Sequence, residues 1–398
     1  MASKPLTRLA QRDVQKISSG CNITSTCATV KEMLENSIDA GAKIIAIRLT
    51  NTGLKKILVQ DNGCGIADEA LTLLGRRHYT SKIRYYDDLS ALQTYGFRGE
   101  AINSLCQFAD VTVQTRQRDS KEGRVVTFDR TGTIRTWSTS PYCPVGTFVT
   151  VENLFQNVPV RYQEACKPGR QKQQYLGLVH MCLAYSIIHP ELKISLYNDE
   201  SCSREVQKSS RCTNLVGSVN GVLGAVAQSL VHLQGADEAH GVRMDLFAPD
   251  PKADYATVSR SSTDRVFLFC NRRPFDSKKV LKAIRNALGN VLPESRNRYP
   301  VVVLAIDVPP EQLDVNCTPD KRTMCFTEEE VVLNCLNRLL LSLYVPNGDA
   351  RVATAGPTPT PSPTSRTSGE DMSKAMAEEV DPVDPGPDST LNVTLLMP

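Results

Sequence analysis

Val30-Lys-Glu-Met-Leu-Glu-Asn-Ser-Ile-Asp39, continued by Ala40-Gly-Ala42 and later by Asp61-Asn-Gly-Cys-Gly-Ile66, is the stretch around which the chain is organised. Val30, Met33, Leu34 and Ile38 recur at intervals of three and four, which predicts a helix with one apolar stripe. Glu32, Glu35, Asn36 and Asp39 fall on the other side. At the helical repeat, Glu32 and Asn36 lie about 40° apart and one turn above the other, so a carboxylate and an amide project together. Gly41 is placed to end the helix in a left-handed cap. Lys43 to Leu49 then reads as a strand of branched residues. A second apolar run, Ile57 to Val59, delivers Asp61 into Asn62-Gly-Cys-Gly65, a tight turn whose bare backbone can approach a ligand. An acid there is poorly suited to phosphate but well suited to accepting a hydrogen bond from an exocyclic amine such as that of adenine.

Tyr95-Gly-Phe-Arg-Gly-Glu-Ala101 comes third, preceded by His78-Tyr-Thr-Ser-Lys82 and running into Ile102-Asn-Ser-Leu105. Gly96 and Gly99 leave backbone N–H groups free at the start of an expected helix, where a polyphosphate can be cradled. Alone, such a glycine pair is a weak signal, and a lone Glu–Asn pair is more often a solvated helix face. In this order, however, the three pieces resemble the ATP-binding fold shared by gyrase, the Hsp90 chaperones, sensor histidine kinases and MutL. The wording is most similar to MutL, the DNA mismatch-repair ATPase: KEMLENSIDAGA, DNGCGI, YTSKI, YGFRGEA, the run from Gly146 to Arg161, and DVNCTPDKR from Asp314 to Arg322. The resemblance spans roughly residues 8–345. Between Thr7 and Ser25 the family's commonest Ala-Ala-Gly-Glu-Val-like string is replaced by Ile17-Ser-Ser-Gly-Cys-Asn-Ile23, which is similar to the eukaryotic postmeiotic-segregation branch.

The composition, 41% hydrophobic and 22% charged over 398 residues, is that of a globular protein with room for two domains and a tail. No apolar run approaches the roughly 18 residues that span a bilayer, and polar Met1 to Arg12 does not read as a signal peptide. Thirteen cysteines with no Cys-x-x-Cys pair are expected to be reduced thiols in an intracellular protein. The net charge of +3 is unevenly spread, −5 from Val345 onward and +8 before it, so the body is the part that could meet nucleic acid. The Pro-rich runs 356–363 and 380–387 predict a disordered tail or linker. No spacing of histidines suggests a transition metal.

From Val111 to Val151, short alternating strands separated by glycine turns fit antiparallel pairing with one face packed on helices. Leu176 to Ile188 is an apolar helix candidate in which His180, and His189 just after it, are packing or surface residues. Strands are expected at Val242–Phe247, Val266–Cys270 and Pro300–Asp307, with a helix from about Asp276 to Leu288 joining the last two. On that helix Val280, Ile284, Ala287 and Leu288 form the buried side. Lys278, Lys282 and Arg285 make a basic stripe, with Arg272 and Arg273 at its mouth, a pattern that raises the chance of phosphate contact. Pro319 turns the chain into a loop, with Lys321 at its tip.

The resemblance implies an α+β fold: a two-layer α/β sandwich ATPase domain over residues 1–210, a smaller ribosomal-S5-like transducer domain over 211–345, and a disordered acidic tail over 346–398. It implies ATP and Mg²⁺ as cofactors, with Glu32 as general base, Asn36 as metal ligand and Asp61 as adenine reader. Asp39, Ala40, Gly63, Gly65 and Thr147 complete the nucleotide pocket, Thr80, Ser81 and Lys82 belong to the lid, and Gly96, Phe97, Arg98, Gly99, Glu100 and Ala101 hold phosphates. Lys321 would reach the γ-phosphate from the second domain, and Arg272, Arg273, Lys278 and Lys282 would contact DNA without reading its sequence. A second MutL homologue and a MutS-type mismatch-recognition protein are the implied partners, the nucleus the implied location, and no membrane is involved. In MutL relatives a linker leads to a C-terminal dimerisation domain, sometimes with a metal-dependent nuclease site, and neither is expected in this chain. One rival is a histidine kinase, which would leave Lys321 without purpose. The other is a DNA or partner scaffold that holds ATP without significant hydrolysis.

Overall fold

The helix predicted from the apolar stripe forms as α2, Thr26–Asp39, after a first helix α1, Gln11–Asn22. Ser25 caps α2 by accepting the Ala28 N–H at 3.0 Å. At its other end Gly41 takes φ +72°. Gly41 N–H donates to Ile38 and Ala42 N–H to Ser37, the paired bonds of a Schellman stop. The computed structural model describes residues 11–85, 88, 94–200, 203–207, 212–291, 298–315, 317–318 and 321–345. The tail, the Pro319 turn and the expected boundary at residues 210/211 lie outside them.

After the cap come β1 (Ile44–Thr50) and β2 (Lys56–Asp61), then the short helix α3 (Asp68–Leu73) and α4 (Ala101–Phe108). Next are β3 (Asp110–Arg116), β4 (Gly123–Phe128), β5 (Ile134–Ser140) and β6 (Gly146–Glu152), then α5 (Pro159–Ala165) and α6 (Pro168–Ile188). With β7 (Lys193–Asn198) and β8 (Ser203–Gln207), the strands form one sheet in the order β5-β4-β3-β6-β2-β1-β7-β8. All neighbours are antiparallel except β1 and β7. Ile45, Ile47, Leu49, Ile57, Val59, Val111, Val113 and Val151 point to one face and meet Val30, Met33 and Leu34 of α2 and Leu178, Met181 and Cys182 of α6. Each of these Val, Leu, Ile and Met side chains contributes about 1.5–3 kcal/mol on burial.

Helix α6 begins at Pro168, eight residues before the expected start at Leu176, because a proline at the first helical position is pre-set for helix and its opening turns can stay polar and exposed. Its last three turns are buried nearly all round. There Ala184, Ile187 and Ile188 pack on a second sheet and on α7 (Leu215–Leu223). That sheet runs β13-β12-β15-β10-β9 and is built from β9 (Leu230–Asp237), β10 (Val242–Pro249), β12 (Val266–Cys270), β13 (Arg273–Pro274) and β15 (Val302–Asp307). A small pair, β11 (Ser259–Arg260) and β14 (Tyr299–Pro300), flanks it. Period-two alternation sends Phe267 and Phe269 toward α6. It sends Val266, Leu268 and Cys270 toward α8 (Lys278–Val291) and α9 (Glu329–Tyr344). Strand β9 is an element the sequence reading did not anticipate. Helix α8 starts two residues later than expected, where the Ser277 hydroxyl accepts the Val280 N–H at 3.2 Å. A last pair, β16 (Leu313–Asp314) with β17 (Cys325–Phe326), forms the base of the loop that carries Lys321.

Candidate nucleotide site

Asp61 ends β2 beneath the C-terminal end of α2 and is buried. Its Oδ2 accepts the Ser37 hydroxyl at 2.9 Å, and its Oδ1 accepts the Gly63 N–H at 2.8 Å and the Thr147 N–H at 3.2 Å. Burial raises its pKa above the ordinary carboxylate value despite these three donors. A carboxylate offers about four lone-pair positions, so one more donor can be accepted, which suits an amine. Thr147 is locked in turn, its hydroxyl 3.1 Å from that of Thr115. The turn after Asp61 needs Gly65, which has φ +74° and whose added Cβ would fall 2.3 Å from the Arg116 carbonyl oxygen. The close approach expected there toward a ligand is made to the chain's own backbone. The Ala40 carbonyl fixes the turn by accepting the Cys64 N–H at 3.0 Å.

Asn36 Oδ1 accepts the Lys82 ammonium at 2.8 Å, and Asp39 Oδ2 accepts it at 2.6 Å. Asp39 also accepts the Tyr95 N–H at 2.9 Å and the Gly96 N–H at 3.0 Å. One expected phosphate donor, the Gly96 N–H, is thus bound to Asp39. Thr80 accepts the Lys82 N–H at 3.1 Å, and Ser81 is exposed beside it. Gly99 accepts the His78 N–H, Glu100 pairs with Arg77 at 3.3 Å, and Ala101 opens α4. The Arg98 guanidinium lies 5.5 Å from the Phe97 ring centroid.

Lys321, from the loop between β16 and β17, is buried against α2 and the glycine loop. Its ammonium is 3.8 Å from Glu32, 3.5 Å from Glu35, 3.1 Å from the Tyr95 carbonyl oxygen and 5.6 Å from the Phe97 ring centroid. The residue has φ +56°, a conformation that costs a non-glycine residue about 1–3 kcal/mol. Arg322 anchors the loop by a two-pronged pair with Asp276 at 2.7 and 2.8 Å.

Glu35 departs from the expected polar face of α2, being buried rather than solvated. It accepts from Lys31 at 2.7 Å and from the Tyr185 hydroxyl at 2.6 Å. Burial alone would raise its pKa, but the charges of Lys31 and Lys321 and the bonds from Lys31 and Tyr185 outweigh it, and the net shift is downward. The signal for this lay in the helical wheel, where Glu35 stands only about 60° from Ile38, at the border of the stripe.

Residues 23–145 match the family of histidine kinase-, DNA gyrase B-, and HSP90-like ATPases, and residues 220–344 match the DNA mismatch repair protein C-terminal domain. The chain is 35% identical over 343 residues to PMS1 protein homolog 1 of Homo sapiens, an alignment covering 86% of this chain and 36% of that protein. It is 36% identical over 365 residues to the mismatch repair endonuclease PMS2 of Homo sapiens, covering 86% and 41%. The chain belongs to the MutL family of DNA mismatch-repair proteins. It spans about two fifths of the length of these curated relatives. Among solved structures, the N terminal domain of a DNA repair protein superposes with TM-score 0.70 at 29% identity, over 83% of this chain and 98% of that one. The Aquifex aeolicus MutL ATPase domain complexed with ADP superposes with TM-score 0.51 at 21% identity, over 79% and 97%, a likeness of fold.

In this MutL-family chain the four residues expected at DNA are not presented alike. Lys278 and Lys282 are exposed on α8. Arg272 is exposed and paired with Glu191 at 3.1 Å. Arg273, expected on the surface, is buried: it donates to the Thr94 and Tyr95 carbonyl oxygens and stacks 5.1 Å from the Tyr95 ring centroid. Arg273 faces the glycine loop because β13 pairs at the sheet edge beside α6 and directs it inward. Tyr95 is the other residue the sequence reading missed. Its hydroxyl donates to the Arg272 carbonyl at 2.6 Å and lies 2.7 Å from His189 Nε2, joining α6, the glycine loop and the second sheet.

Proposed function

We propose that this chain binds ATP with Mg²⁺, hydrolyses it slowly, and uses the nucleotide state to set the geometry between its two larger sheets during DNA mismatch repair. The observation that carries this reading is the Lys321 ammonium, delivered by the loop between β16 and β17 to within 3.8 Å of Glu32 on α2. Asp61 accepts the adenine amine through its remaining lone pair. Glu32 accepts a proton from the attacking water, and Lys321 stands beside it to meet a γ-phosphate. Asn36 fits Mg²⁺ by chemistry: its amide oxygen is a hard donor, and it already faces a cation, the Lys82 ammonium. When bound, the metal offsets charge on the phosphates. The division into ATPase and transducer domains near residues 210/211 belongs to the same reading, as do a second MutL homologue and a MutS-type protein as partners and a nuclear location.

Lys321→Ala tests the reading. Wild type should protect residues 314–322 from hydrogen exchange with a non-hydrolysable ATP analogue and not with ADP, because a partly shielded charge pair can bias a two-state hinge. The variant should lose that difference while keeping adenine recognition. A variant that responds to ATP as wild type does would remove Lys321 as the sensor.

Asn36→Ala should weaken ATP binding in Mg²⁺ but not in EDTA, read by titration calorimetry in both buffers. Equal losses would remove the metal-ligand role. For DNA, Lys278→Glu with Lys282→Glu should flatten the log–log salt dependence by roughly one unit for each phosphate no longer neutralised. An unchanged slope would return α8 to ordinary surface.

A further inference from the structure

The loop that carries Lys321 has a cysteine on each arm. Cys325 lies in β17, in register with Asp314 of β16, and Cys317 lies three residues beyond Asp314 on the opposite arm. Both are exposed and reduced. The Cys317 Sγ stands 3.2 Å from the Cys325 Sγ and 3.4 Å from the Asp314 carbonyl oxygen. A disulfide needs a separation of about 2.05 Å, so a shift of little more than 1 Å would join the sulfurs. The arms are already held. Lys321 N–H donates to the Thr318 carbonyl at 3.1 Å and Thr323 N–H to the Thr318 hydroxyl at 3.3 Å, while Arg322 is fixed on Asp276.

We propose that Cys317 and Cys325 are a redox modification site, closed by a peroxide into a reversible disulfide that clamps the Lys321 loop at its base. Cys317 has its thiol pushed up to about 11, first by burial, then by the bond to Cys325 and the charge of Asp314. The Cys317 thiol is engaged with the Asp314 carbonyl oxygen and with the Cys325 sulfur, so Cys325 is the sulfur oxidised first. Its thiolate attacks a peroxide oxygen, the O–O bond breaks, and the departing hydroxide takes a proton and leaves as water, giving a sulfenic acid. Cys317 then attacks that sulfur: the S–S bond forms, the S–O bond breaks, and the second hydroxide leaves as water with the Cys317 proton. The sulfurs lose two electrons and the peroxide gains them. A thiol reductant reverses the bond.

The clamp matters because the loop must move if Lys321 is to answer nucleotide, a step that rests on the ATP-hydrolysing reading above. A disulfide formed near the present geometry holds Lys321 against Glu32 and Glu35. A displacement of about 1 Å in positioning can cost 10²-fold in rate, so ATP turnover should fall by roughly 10–10²-fold on oxidation and recover with dithiothreitol.

The test treats the full chain with hydrogen peroxide, blocks free thiols, and digests with trypsin, which cuts after Lys321 and Arg322 inside the loop. Wild type should yield the peptides holding Cys317 and Cys325 as one linked pair, lighter by two hydrogen atoms and separated by reductant. Cys317→Ser and Cys325→Ser should each abolish that pair, keep wild-type turnover when reduced, and make turnover resistant to peroxide. A linked pair absent from wild type, or present undiminished in Cys325→Ser through Cys335 on the same peptide, overturns the site. A linked pair with unchanged turnover overturns the clamp. A reduced protein that does not hydrolyse ATP overturns the hydrolytic reading instead, and the peptide result still decides the disulfide.

Discussion

Glu32→Ala is expected to lower ATP turnover by about 10²–10⁴-fold, the range that a positioned proton acceptor contributes, while leaving ATP affinity within a few-fold. A group that acts on the attacking water works in the transition state more than in the ground state, so its removal lowers the rate rather than the binding. The structure adds a reason for affinity to survive. Lys321 keeps its pairing with Glu35 at 3.5 Å when Glu32 is gone, and Asp61 is held by Ser37, Gly63 and Thr147 without help from Glu32. Single-turnover hydrolysis and equilibrium binding on the same preparation check this. Loss of binding in proportion to rate would remove Glu32 as the general base. The same assay separates the ATPase from the scaffold reading, since a scaffold would show no single-turnover hydrolysis in wild type.

Much of the first sheet and its helices was legible because the signals were local: a period near 3.6 in α2, branched runs in β1 and β2, and a glycine placed to stop the helix. The placing of Glu32 and Asn36 one turn apart on α2 was legible for the same reason, being a property of one helix. Arg273 and Glu35 were not. Arg273 belongs to a sequence run that reads as basic surface. Its burial comes from Tyr95, distant in sequence, whose ring and carbonyl oxygen receive the guanidinium. Glu35 sits in a helix whose polar side reads as solvated, yet Tyr185 from α6 and Lys321 from the loop between β16 and β17 close over it. Both errors have one origin: a charged residue is buried when its counter-charges or acceptors arrive from remote elements, and helical periodicity carries no information about those. The role expected of Lys321 comes only from the resemblance, because a lysine after Pro-Asp in a loop has no periodic signature.

Glu35→Gln is expected to destabilise the folded chain by about 3–5 kcal/mol, the scale for removing one partner of a buried ion pair. Glutamine can still accept from Tyr185, so shape and one hydrogen bond survive, but Lys31 and Lys321 lose their shared counter-charge. The side chains of Glu35 and Lys321 are only 4% and 5% exposed, so water cannot replace it. Urea midpoints of wild type, Glu35→Gln, Lys321→Met and the double variant check this. Coupling predicts that the double variant loses less than the two singles added together, and strict additivity would mean that the two charges do not support one another. The pH dependence follows from the direction of the shift. Because the folded pKa of Glu35 lies below its unfolded value, its contribution is fully present above the unfolded carboxylate pKa of about 4.3 and is lost as pH falls through the folded value. The gap between wild type and Glu35→Gln should therefore be widest near neutrality and close on acidification, and a gap independent of pH would place the cost in packing rather than charge.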